Sequence, residues 1–133
     1  EKAIKADRRI SVLPFVSHEK AKELMASADF LVNFGNNDVS MTPSKIFEYM
    51  STGKPIISTA PIENEPSCAY LSKYPMACVL KEYAGNEVDL AEQLQDFLAC
   101  NENTQVSMID FVRDFYLNTP KAFLDVISSI DTD

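Results

Sequence analysis

The sequence contains a single histidine, three glycines and three cysteines, with no C-x-x-C pair. An odd set of thiols (Cys68, Cys78 and Cys100) and one imidazole supply neither a disulfide framework nor a zinc site. Buried, reduced thiols of a cytosolic protein are therefore expected, and no metal or cofactor. The few glycines do not form a P-loop or a dinucleotide fingerprint. Positive charge is also scarce: 12 Lys and Arg stand against 20 Asp and Glu, a formal net charge of -8. That balance argues against nucleic-acid binding, which needs clustered Lys and Arg to neutralise phosphates. It also argues against a site on anionic lipid within this segment, so any peripheral contact with the inner membrane face would come from a region outside it. No apolar run approaches the roughly 18 residues of a membrane helix, and the polar first residues carry no signal-peptide core. Without an initiator Met, the chain reads as an excised or processed piece. No repeat or low-complexity run is present, which excludes collagen-like, mucin-like and coiled-coil architectures.

What remains is an ordinary globular composition, 46% hydrophobic and 24% charged over 133 residues, enough for one domain or part of one. Ile10–Phe15 is a short β-prone run. Ser17 offers an N-cap to a helix carrying Ala21, Leu24, Met25 and Ala28 at helical spacing. Asp29–Phe34 has a continuous apolar centre, the pattern of a strand buried on both faces. Pro43 to Ser51 reads as a short helix with Ile46, Phe47 and Met50 inward, closed by Gly53. A second buried strand covers Pro55–Thr59, a helix runs from Pro66 to about Lys73, and a last strand covers Ala77–Leu80. Glu87 to Ala99 carries one apolar stripe. Two further helices are expected within 104–131, one with Ile109, Val112 and Tyr116, the other with Phe123, Val126, Ile127 and Ile130, separated by Pro120. Four alternations of strand and helix, without in-out polarity in the strands, predict an α/β fold with a mainly parallel, Rossmann-like sheet flanked by helices. Ligands of such sheets bind beyond the carboxyl ends of the strands. The informative loops are therefore Asn33 to Thr42, Thr59 to Glu65 and the segment after Leu80.

The segment from Asn36 to Pro55 carries the chemistry. A helix starting at Pro43 leaves its first N–H groups free for an anion. Ser44 adds a hydroxyl and Lys45 a point charge suited to a phosphate. Glu48, four residues beyond Ser44, shares its helix face and can accept hydrogen bonds from a vicinal diol. Phosphate at the helix tip and ribose one turn down is the footprint of a nucleotide. A solvated first turn, with Glu48 placed favourably in the helix dipole, is the structural alternative.

The order Ala-Asp-Phe-Leu-Val, polar loop, Pro-Ser-Lys-x-x-Glu-Tyr-Met, Gly-Lys-Pro-Ile-Ile resembles the donor-binding half of GT-B glycosyltransferases, nearest to the retaining, family-four-like branch. The resemblance spans about Val12 to Leu80. It implies a nucleoside diphosphate sugar as donor, UDP- or GDP-linked, and a role in polysaccharide, lipopolysaccharide or glycoconjugate synthesis. Glu48 takes the place of the second glutamate of the family's E-x7-E motif and would bind the donor ribose. Thr42, Ser44 and Lys45 would bind the donor diphosphate and sugar, with Asn36, Ser40 and Glu65 as further candidates. The first glutamate of the motif falls at Ser40, so the carboxylate near the sugar is absent. The family's basic diphosphate-binding residues and its acceptor-binding domain, for a glycan or lipid, would lie upstream of Glu1. The chain is thus expected to be a fragment of an incomplete C-terminal domain, inactive alone, with a core at 10–99.

Other residues carry weaker signals. His18 reads as a solvated first-turn residue, Glu63 and Glu65 as loop carboxylates near a donor or simply exposed, Tyr49 and Met50 as packing, and Lys54 as exposed turn chemistry. Two rival functions remain: a GT-B-like sugar-nucleotide epimerase, and a non-enzymatic α/β interaction module whose site has lapsed, for which Ser40 speaks. In a sheet of order 3-2-1-4-5-6, the four strands would be the third to the sixth. The Asp29–Phe34 strand then lacks a neighbour, and either Val12–Phe15 pairs with it or a second copy covers it.

Overall fold

A computed structural model describes residues 7–41, 44–102 and 104–106. Its elements in chain order are α1 (His18–Ser27), β1 (Leu31–Phe34), α2 (Lys45–Ser51), β2 (Ile56–Ala60), α3 (Pro66–Leu71), β3 (Ala77–Lys81) and α4 (Glu87–Asn101). The strands form one parallel sheet of order β1-β2-β3. The fold is α/β and Rossmann-like, with helices connecting and flanking the strands. Of the two helices expected within 104–131, residues 104–106 form no helix, and 107–131 lie outside the described residues.

Local chemistry explains where the elements begin and end. Ser17 is extended and its Oγ accepts the Lys20 N–H at 3.2 Å, which starts α1. Asn86 starts α4 in the same way, accepting the N–H groups of Val88 and Asp89, both at 3.0 Å. Gly53 ends the turn after α2 at φ 72, a left-handed conformation that side chains disfavour. Pro66 occupies the first turn of α3, where its missing N–H is not needed. The helix stops at Leu71, two residues short of expectation, and closes with a turn in which Tyr74 N–H donates to Leu71 O.

The core lies between the sheet and α1–α3. Leu31 and Ile56 meet Ile46, Met50, Leu71, Tyr74 and Met76, with Met25 and Ala28 of the α1 end packed against them. Val106 joins the same cluster, held by its N–H on Gly53 O at 2.8 Å. This places residues 104–106 beside the turn after α2. Phe47 is not inside as expected. It stays 41% exposed and meets the edge of Tyr70, ring centroids 4.8 Å apart.

Two strand expectations are corrected. Ile10–Phe15 forms no strand and pairs with nothing in the sheet; Val12, Leu13 and Phe15 are exposed. A four-residue apolar run interrupted by Pro14, which has no N–H to donate, cannot sustain a ladder without a partner. β1 is not buried on both faces either. Leu31 and Asn33 are buried, whereas Val32 and Phe34 are 45% and 77% exposed. Along the register row Val32–Ile57–Cys78, exposure falls to 8% and 4%. The cover comes from α4, which lies on β3, donates from Gln93 Nε2 to Val79 O, and reaches only the foot of β1 through Phe97 against Phe30. The central β2 is the most buried strand: Ile56, Ile57, Ser58 and Ala60 are buried and Thr59 is half-buried.

Candidate functional site

The carboxyl ends of β1 and β2 are locked together at Gly35. Its N–H donates to Thr59 Oγ1 at 3.2 Å, and a Cβ there would lie 2.2 Å from Thr59 O. Only glycine permits this approach, and it aims the following loop toward α2. The loop is internally bonded. Asn36 accepts the Asp38 N–H and donates to Met41 O, while Asp38 Oδ1 accepts from both the N–H and the hydroxyl of Ser40. The Ser40 bonds hold the Asp38 carboxyl below its ordinary pKa. Asn36 and Ser40, expected to face a donor, are thus engaged in the loop's own turns. Thr42 and Pro43 lie outside the described residues.

Ser44 precedes α2, is exposed, and its hydroxyl makes no capping bond. Lys45 is exposed and forms no ion pair among the described residues. One turn on, the Glu48 side chain is exposed, and its carboxylate accepts no hydrogen bond among the described residues; only its backbone carbonyl is used, by Ser51 Oγ at 2.6 Å. Ser44, Glu48 and Ser51 form a stripe along α2 opposite the buried Ile46 and Met50. The Glu48 side chain lies on the α1 side of α2.

There it lines a cavity of about 280 Å³, together with Lys22 and Met25 of α1, and Thr52, Lys54 and Gln105. No described residue of the Asn33–Thr42 loop lines this cavity; Glu48 opens between α1 and α2. Lys54 is half-buried rather than an exposed turn residue, with its ammonium donating to Ala28 O. Lys22 forms no hydrogen bond or ion pair among the described residues, although it shares the cavity with Glu48. Lys22 and Gln105 carry no sequence signal of their own; only the return of the chain at Val106 brings Gln105 to this place.

Glu65 is elsewhere and inaccessible. At 2% exposure it accepts from Ser67 Oγ at 3.1 Å and Cys68 Sγ at 3.6 Å, organising the start of α3 beneath Gly35. Burial, followed by the Glu65 charge, pushes the Cys68 thiol pKa up, and burial does the same at Cys78. Cys100 is exposed, contrary to expectation; all three thiols are free. Glu63 and His18 are exposed and do not line the cavity, whereas Tyr49 is half-buried against the core and Met50 is fully inside. Among the described residues no group of three or more His, Cys, Asp or Glu can hold a metal, and no helix is long and apolar enough to cross a membrane. No protein-family model, curated protein or solved structure matches the chain.

Proposed function

We propose that this chain carries the donor side of a nucleoside diphosphate sugar site and serves glycosyl transfer. The observation that carries the reading is the Glu48 carboxylate, solvent-facing and without a hydrogen-bond partner among the described residues, one helical turn inside a start bearing Ser44 and Lys45. A carboxylate offers acceptor positions to both hydroxyls of a ribose diol. Lys45 and Ser44 stand where the diphosphate would follow, and positive charge there stabilises the leaving diphosphate as transfer proceeds. The parallel sheet places this turn after the carboxyl end of β1, where such folds bind ligands. Thr42 would bind the donor diphosphate with them. The donor would be UDP- or GDP-linked, and the acceptor, a glycan or lipid, would be held by a further domain. Because Ser40 stands where the family's first glutamate would, this reading assigns Ser40 no acid–base role.

Lys45→Met tests the phosphate end. It should weaken UDP and GDP several-fold more than uridine and guanosine, since only the former present a diphosphate. Equal weakening of both kinds of ligand would remove the assignment. A second reading, a non-enzymatic α/β interaction module, draws on the internal engagement of Asn36 and Ser40 and the burial of Glu65. It predicts no nucleotide binding at all.

A further inference from the structure

α1 carries Ala21 and Met25 on one side, with Ala28 as its cap, yet none of its 10 residues is buried. Beside it, the hollow of about 280 Å³ runs between Met25 and Ala26 of α1 and Thr52 and Lys54 after α2. Lys54 immediately precedes β2, so this part of the hollow lies at the amino ends of the strands, opposite Ser44. Glu48 stands one turn nearer Ser44, at the rim. The chain itself arrives here. Gln105 lines the hollow, and Val106 follows with its N–H on Gly53 O at 2.8 Å and its side chain against the cluster that includes Met25.

We infer that residues 108–116 form a helix that docks on α1 and fills this hollow, so that a segment of the chain's own sequence covers the open side of α1. The sequence after Val106 opens a helix at once. Ser107 is an N-cap residue, with Asp110 three residues on as its acidic partner. Val106 before the cap and Phe111 at the fourth helical position make a hydrophobic staple, which fixes the angle at which a chain enters a helix. Met108, Ile109, Phe111, Val112, Phe115 and Tyr116 fall within one broad side at helical spacing, and Asp110, Arg113 and Asp114 on the other. Such a helix needs an apolar wall, and α1 offers one. Met108 comes two residues after Val106, so it lies within about 8 Å of that anchor even at full extension. The tether also decides between occupants. Docking of a segment held this close is intramolecular, and it outcompetes a second copy or a separate partner for the same face.

Amide hydrogen exchange and thermal melting of the 133-residue chain test this. Amides of α1 and of residues 111–116 should be protected together, independently of protein concentration. Two substitutions then probe the contact from its two sides. Val112→Ala raises helix propensity. Ala26→Arg puts a cation at an exposed position in the last turn of α1, where the helix dipole favours it. On an open surface neither should lower stability. In the docked fold each should lower the melting temperature by about 5 °C and speed exchange in α1. The double variant should lose no more than the larger single loss, because both changes remove one contact. Unchanged melting in both single variants, or additive losses in the double, overturns the docking. So does protection of α1 that appears only as concentration rises, which would give the hollow to a second copy. Exchange in the parent chain reads this even where a variant fails to fold. No nucleotide enters the test, so the nucleotide reading stands whichever result is found.

Discussion

The Lys54 ammonium donates to the backbone carbonyl of Ala28, the residue that caps the end of α1. This bond joins the turn after α2 to the turn before β1 and fixes the spacing of the two helices that wall the cavity. Lys54→Met keeps the side-chain stem but removes the donor. A hydrogen bond from a charged group contributes about 1.5–3 kcal/mol, less where water still reaches the ammonium, so the variant should melt a few degrees lower. An unchanged melting temperature would show the bond to be without consequence.

Tyr74 sits in the core with its hydroxyl donating to Lys54 O at 2.8 Å, and burial pushes its pKa up to about 12. The folded chain therefore holds this proton between pH 10 and about 12, where the unfolded chain releases it. Its contribution is complete below pH 10 and is lost as pH rises toward about 12, on the order of 2–3 kcal/mol. Tyr74→Phe should be less stable by about 1 kcal/mol at neutral pH and should show a shallower alkaline decline. Parallel alkaline unfolding curves for the two proteins would contradict this.

Gly35→Ala brings a Cβ within 2.2 Å of a backbone oxygen, Thr59 O, which has no flexible end to move aside. The strand ends must separate, at a cost of about 1–3 kcal/mol, measurable as a lower urea midpoint. The loop that follows should shift with them. An Ala variant as stable as the parent would show that this close approach is not required.

These residues also show which parts of the molecule were legible in the sequence. Periodicity identified β2 and α4, since a central strand and a long amphipathic helix bear their patterns whatever surrounds them. It misled at Ile10–Phe15 and on one face of β1, because an apolar run records the wish for a partner and not its presence. At the site, the Ser44–Glu48 spacing was readable because four residues on a helix place two side chains on one face. The direction of that face was not, since it depends on α1 and on the return of the chain at Gln105 and Val106. Glu65 is the clearest miss. A charged residue beside proline in a loop reads as exposed, yet hydrogen bonds from Ser67 and Cys68 allow it to be buried.

The central claim is that Glu48 holds the ribose of a nucleotide, and calorimetry of UDP and GDP against the parent chain and Glu48→Ala tests it most directly. Both nucleotides should bind the parent. The variant, unchanged in stability because the side chain is exposed, should bind them more weakly by about 1.5–3 kcal/mol, the range for hydrogen bonds to a charged group. Absence of binding to the parent, or equal affinity in the two proteins, would contradict the account.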